Sequence, residues 1–313
     1  MTPPRPAVAL LIGLAVLAGC GRPRPSPPSD SGDGPKSAPA GRGTTPQGVA
    51  SPQAPVGGPG PVGPQDPAQQ AAEQFVADLR AAATPGPGPA PLLGRLTPDF
   101  LKVIGKPTAF AAEKEQGYSP SAAGGWLFRS TGALAAVAPP TGHPAGGPAV
   151  FVGSFDNGAG RYLLRLVPEG GGWKVDWFGL GTAKTADPRP AGPDEAAKEF
   201  AALAFLDALT AADTAQGRDD RLPLVAAAIT PRLRNARAEP FGQDRDRGYD
   251  YNPAALGRYV DSLGLGGAEA YTRTPAGDGY AVSVTKGGAA KAFALKLVKD
   301  PARGWLVDEF TPQ

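Results

Sequence analysis

Two aspartates recur in one short frame. Asp176 stands in GWKVDWF, Gly172 to Phe178, and Asp308 in GWLVDEF, Gly304 to Phe310. A carboxylate among β-branched and aromatic strand residues has two uses. Leaving the strand on a solvated face, it is half of a cross-strand ion pair, worth about 0.2 to 1 kcal/mol. Pointing inward, it has its pKa tuned by burial and can serve as a general base. Counting back around each hairpin puts Arg165 opposite Asp176. A loop one residue longer puts Lys296 opposite Asp308, so both acids are expected to be ion-paired. Asp176 and Asp308 remain the candidate catalytic groups. His143, the only histidine, lies in PPTGHPAGG with no nucleophile motif beside it, and is expected on a loop surface. Asp244, Asp246 and Asp250 alternate as in a calcium loop. Arg245 and Arg247 offset the ligand charge there, however, and no glutamate stands at the twelfth position. Acidic-basic-acidic runs precede both Gly117-Tyr118 and Gly248-Tyr249, and predict polar turns with a tyrosine packed under the next helix. Tyr118, Tyr249 and Tyr251 are candidates for a pocket mouth.

The composition narrows the chemistry further. One cysteine forms no intramolecular disulfide, and one histidine is too few for most zinc sites. No metal or cofactor is expected. Thirty-one basic against 29 acidic residues, a net charge of +2, supply no field for nucleic acid. Forty-four glycines and 38 prolines in 313 residues require that part of the chain be low-complexity, and the remainder suffices for two domains.

Ala7 to Ala18, AVALLIGLAVLA, is shorter than the roughly 20 apolar residues that span a bilayer, and reads as the apolar core of a signal peptide. LAGC follows, ending in the single cysteine, Cys20. This resembles the lipobox of bacterial lipoproteins, which implies a signal peptide over 1–19 and lipidation of Cys20. A non-lipidated secretory peptide is the alternative, since Arg5 is the only basic residue ahead of the apolar run. Each buried methylene is worth about 0.8 kcal/mol, so two or three acyl chains would anchor the protein durably and make Cys20 an anchor rather than a nucleophile. Gly21 stands where an aspartate retains some lipoproteins at the inner membrane, which favours the outer membrane of the cell envelope. From Cys20 to residue 66 the chain is rich in proline and glycine and nearly free of large apolar groups, so it is expected to be a disordered tether.

The frame around the two aspartates belongs to a longer repeat. With a shift of about 130 residues, AAEQF answers AAKEF, LTPDFLKVIGKP answers ITPRLRNARAEP, EKEQGYSP answers DRDRGYDYNP, and LLRLVPEGGGWKVDWF answers ALKLVKDPARGWLVDEF. Four matches in order indicate duplicated domains, at 67–183 and 194–313. Each opens with a helix, carrying Ala72, Phe75, Val76, Leu79 and Ala83 on one face in the first copy. In the second copy the helix begins after Pro193 and Asp194 and is apolar all round, so it should be more buried. Thr97-Pro98, Ser119-Pro120, Thr230-Pro231 and Asn252-Pro253 predict further helix starts. Strands complete each copy, with turns at Asn157-Gly158 and Gly287-Gly288. Helices followed by antiparallel strands make the fold class α+β.

Leading helices, a curved antiparallel sheet and a closing GW-V-D-F strand resemble the nuclear transport factor 2-like superfamily, which includes SnoaL-like proteins. Cystatin-like domains are the alternative. The resemblance implies a cone between sheet and helices that either holds a small molecule, sometimes with an inward aspartate as base, or serves partner binding. Three functions follow as expectations. The first is an envelope lipoprotein that binds a small ligand or another envelope protein, anchored through Cys20. The second is a SnoaL-like enzyme using Asp176 or Asp308, and the third is a structural spacer or assembly platform.

Overall fold

The start of α1, Pro67–Ala82, shows how local sequence fixes this structure. The Asp66 carboxylate accepts from the Ala68 N–H at 2.8 Å, Pro67 fills the first helical position, and Ala72, Phe75, Val76 and Leu79 are buried along one stripe. The computed structural model describes residues 66–82, 90–105, 117–129, 134–137, 148–155, 160–186, 192–211, 215–301 and 303–313. Cys20, the signal segment, the tether up to residue 65, Ala83, His143 and the Asn157-Gly158 turn lie outside them. After α1 come α2, Ala90–Leu93, α3, Pro98–Ile104, and α4, Pro120–Arg129. A first antiparallel sheet follows, in the order β1 (Leu134–Val137), β2 (Ala149–Phe155), β3 (Arg161–Glu169), β4 (Gly172–Gly181). The second half runs through α5 (Pro193–Thr210), α6 (Ala215–Ala228), α7 (Pro231–Ala238), α8 (Gly242–Asp246) and α9 (Pro253–Leu263). A second antiparallel sheet, again in sequence order, closes it with β5 (Ala270–Ala276), β6 (Gly279–Lys286), β7 (Ala289–Asp300) and β8 (Gly304–Pro312). The class is α+β, as the element order implies.

The same local devices occur in both halves. Thr97 Oγ1 accepts from Phe100 N at 3.2 Å and Thr230 Oγ1 from Leu233 N at 3.1 Å, each followed by a proline at the first helical position. Ser119 and Asn252 begin α4 and α9, and their N–H groups bond the carbonyls of Gly105 and Ala238 at 2.7 and 2.8 Å. Each closing strand makes a parallel bridge to the residue before its threonine, Leu96 to Val175 and Ile229 to Val307. Each closing pair is interrupted one residue later. Arg165 pairs with Trp177 and Leu166 with Val175, so Asp176 is the extra residue of a β-bulge; Lys296 pairs with Glu309 and Leu297 with Val307, which leaves Asp308 in the same position. Gly287 and Gly288 make the β6–β7 turn with φ of 59° and 76°, both in the left-handed region that a tight hairpin requires.

The elements stack in four layers. Face one of the first sheet carries Phe178, whose ring meets Phe75 of α1 edge-on at 5.7 Å and Trp126 of α4 at 6.2 Å. Its other face, with Arg161, Leu163, Arg165, Trp177, Gly179 and Gly181 in register, is covered by α5. Phe200 of α5 meets Trp177 at 6.3 Å, whereas Phe205, five residues on and on the other side of the helix, meets Phe310 of the second sheet at 5.3 Å. Helix α5 is therefore packed between both sheets, and every residue from Phe200 to Thr210 is buried, as its apolar circumference predicts. Its start differs from expectation: Gly192 precedes Pro193 at the helix end with no side-chain cap, and Asp194 instead accepts from Lys299 and Trp305.

The packing also corrects the alignment of the two opening helices. AAEQF and AAKEF equate Phe75 with Phe200, but the ring that repeats the Phe75 contact on its own sheet is Phe205. In that register the exposed Gln70, Gln74 and Ala77 of α1 correspond to the buried Phe200, Ala204 and Asp207 of α5. The extra apolar side of α5 is its contact with the first sheet.

One charged group sits inside this stack. Asp207 is 2 % exposed; its Oδ1 accepts from Arg161 of β3 and, at 2.8 Å, from the Tyr271 hydroxyl of β5, and Arg161 also donates to Tyr271 at 2.5 Å and to the Ala183 carbonyl at 3.2 Å. Burial pushes the Asp207 carboxyl up while the Arg161 guanidinium opposes it, and burial holds the Tyr271 phenol protonated as a donor. Gly181 makes room, since a Cβ there would lie 2.5 Å from the carboxylate. Asp207→Ala leaves Arg161 without its counter-ion and is expected to cost about 3–5 kcal/mol in urea denaturation. The double variant Arg161→Met with Asp207→Leu should recover most of that, and an equal loss in both would show that the pair, not its orphaned half, carries the stability.

Candidate functional site

A cleft of about 810 Å³ opens beside α5, on the side of the first sheet away from α1. The start of α3, the bulged part of β3 and β4, and Phe200, Ala201 and Ala204 of α5 form one wall. Pro223 and Ala226 to Ala228 of α6, Arg234 of α7, Gly248, Asp250 and Tyr251, and Arg303, Trp305 and Leu306 at the β7–β8 turn form the other. The small side chains of α5 and α6 leave the space, and Trp177, Phe200, Tyr251 and Trp305 give it aromatic surface. The spaces expected to be cones are filled instead, by Phe75, Trp126 and Phe178 in the first half and by Phe205, Phe293 and Phe310 in the second.

The two recurrent aspartates diverge. Asp176 lines the cleft, and both its oxygens accept from Arg165 Nε, at 2.9 and 3.0 Å, so the expected partner is the actual one although the bulge offsets it from direct register. The Arg165 guanidinium lies 5.0 Å from the Phe200 ring centroid, a cation–π contact that ties it to α5. Asp308 is not part of the cleft wall. Its expected partner Lys296 is opposite Glu309, because the bulge shifts the register, and Asp308 turns to the start of α7 instead. There Thr230 Oγ1 donates to it at 2.8 Å and Arg232 through Nε at 3.0 Å and Nη2 at 2.5 Å. The Arg232 hydrogen bonds hold the Asp308 carboxyl below its ordinary range against the opposing effect of burial.

Of the three tyrosines proposed for a pocket mouth, Tyr251 lines the cleft, and Tyr118 and Tyr249 do not. Tyr251 is 1 % exposed and packs edge-on against Tyr249 at 5.6 Å; burial raises its phenol pKa. The predicted polar turn is present: Asp244 Oδ2 accepts from Phe241 N at 2.9 Å and Asn252 Nδ2 at 3.0 Å, and Gly248 has φ 77°. Asp250 pairs with Arg234 at 2.9 Å, so Asp244 and Asp250 have separate structural partners. Among the described residues no group of three or more His, Cys, Asp or Glu could hold a metal ion.

Sequence reasoning did not single out Arg161, Asp207, Tyr271, Arg232, Arg234 or Arg303. Asp207 had a signal, as the one charge inside FAALAFLDAL. Burial of the Arg234 side chain disfavours its charge, the nearby Arg303 adds to that effect, and Asp250 opposes it. No protein-family model, curated protein or solved structure matches the chain.

The Asp308 pair fixes one pH effect. Its folded pKa lies below the unfolded value of about 3.9, so its contribution to stability is present above about pH 4 and is lost as pH falls through the folded pKa. Acid unfolding followed by circular dichroism should show Arg232→Met losing stability relative to the unaltered chain above pH 4, with the difference narrowing below it. A constant difference across that range would detach the effect from Asp308.

Proposed function

We propose that this chain is a lipid-anchored lipoprotein of the cell envelope, in which two tandem domains of nuclear transport factor 2-like type act as a binding or scaffold module rather than an enzyme. A lipidated Cys20 holds the outer membrane, residues 20–66 form the tether, and the domains span 67–183 and 194–313. The repeated threonine caps, parallel bridges and aspartate bulges support the duplication. The observation that carries the binding role is the cleft of about 810 Å³ beside α5, whose Asp176 already has both oxygens on Arg165. In this reading Asp176 is the ion-pair partner that positions Arg165 on the cleft wall. The same cleft is of the size that small-molecule sites occupy, a few hundred to about a thousand Å³. Among the described residues no helix is long and apolar enough to cross a membrane, and the anchor in this reading is the acyl group.

Detergent phase partitioning of the full chain expressed in a bacterium tests the anchor. The unaltered chain should enter the detergent phase and Cys20→Ala the aqueous phase. Identical partitioning of the two would overturn lipidation at Cys20.

A further inference from the structure

The cleft has a chemical bias that names a class of ligand. Each of its four carboxylates already has a cation: Asp176 has Arg165, Asp250 has Arg234 at 2.9 Å, Asp99 has Lys102 at 3.1 Å and Glu169 has Lys174 at 3.1 Å. Arg303 has the loosest of these pairs, with Asp300 at 3.8 Å. Two buried side-chain atoms among the cleft-lining residues have no hydrogen-bond partner, Arg234 Nε and Trp177 Nε1, and both are donors. Arg165 meets Asp176 through Nε alone. An arginine carries five N–H donors and no acceptor; Arg165 spends Nε on Asp176, and Arg234 leaves its Nε unbonded. Around them the surface is aromatic.

We infer that the cleft binds an anion with a flat apolar body, its carboxylate or phosphate group held by Arg303 and Arg234 and its body lying against Phe200, Trp177 and Trp305. An anionic acceptor between two guanidinium groups relieves their mutual repulsion and forms charge-assisted hydrogen bonds. Asp250, 62 % exposed in its side chain, is the partner such a ligand would displace from Arg234. The aromatic walls favour a planar body over a chain of hydroxyls. This deepens the binding reading by naming what is bound, and it is independent of the anchor: failure of Cys20 lipidation leaves it standing, and its own failure leaves the anchor standing.

Isothermal titration calorimetry of the full chain with 2-naphthoate, 2-naphthyl phosphate and the neutral 2-naphthamide tests it. At least one anion should bind at a single site about tenfold more tightly than the amide, and Arg303→Met should weaken that binding about fivefold. Which anion binds better tells a carboxylate ligand from a phosphate one. Removal of the largely buried Arg234 could unfold the chain, so the second variant is Ala227→Trp, which fills the cleft from α6 and should abolish binding. Absence of binding by both anions at millimolar concentration, equal affinity for the amide, or affinity unchanged in either variant overturns the proposal.

Discussion

The hydrogen-bonded contact of Asp207 with Arg161 and Tyr271 sets the position on which the rest of the structure depends. A helix apolar on every side, such as α5, gains about as much from burial in one rotation as in another, because no face of it prefers water. A buried carboxylate removes that freedom. It must be met by donors, since an unpaired charge in the interior costs several kcal/mol, and the donors come from different sheets. Only one rotation and one axial position satisfy both. Gly181 lets β4 come close enough for this, and the Lys184 to Ala270 bridge joins the first half to the edge of the second sheet next to Tyr271. The bond contributes little net stability against an apolar replacement; what it contributes is register between layers.

That register explains why two halves with the same local devices have unlike surfaces. On the first sheet, the face turned to α5 carries Leu163, Arg165 and Trp177. The corresponding positions of the second sheet carry Ala294, Lys296 and Glu309, and both charged groups are exposed. One face is written for a helix and the other for water. A helix like α5 would find no aromatic partner and no arginine on that second face, so stacking by the same contact does not continue through it.

The sequence made most of this fold legible wherever a residue acts on its near neighbours. Proline after threonine, serine or asparagine marks α3, α4, α7 and α9 because cap and first helical position are adjacent in the chain. Alternation gives β2 to β8, and the hairpin count gives the Arg165 partner of Asp176. The strand β1 and the helix α6 were not foreseen; α6 contains Pro223, which reads as a break. Phe75 was matched to Phe200 because the small residues around them are alike, whereas the contact that identifies Phe205 is with a strand a hundred residues away. The partner of Asp308 was misassigned for a similar reason. A bulge is a property of the paired strands, so the single strand shows no extra residue to count.

The two bulges show how like strand irregularities are met by different partners. In both halves the extra aspartate stands beside a threonine-capped helix, and in both it needs a cation. In the second half position 232 is arginine, which closes on Asp308 from the helix start and leaves the acid out of the cleft. In the first half the equivalent position is Asp99, which cannot serve, and the cation comes from the neighbouring strand as Arg165. That exchange places a guanidinium on the face that α5 covers, against Phe200, where the second half adds Arg234 and Arg303 to the same cleft. The arginine-lined, aromatic cleft is thus a property of neither half alone. It exists because one half's strand arginine and the other half's turn and helix arginines are brought together by the position of α5, which returns the argument to the carboxylate that fixes that position.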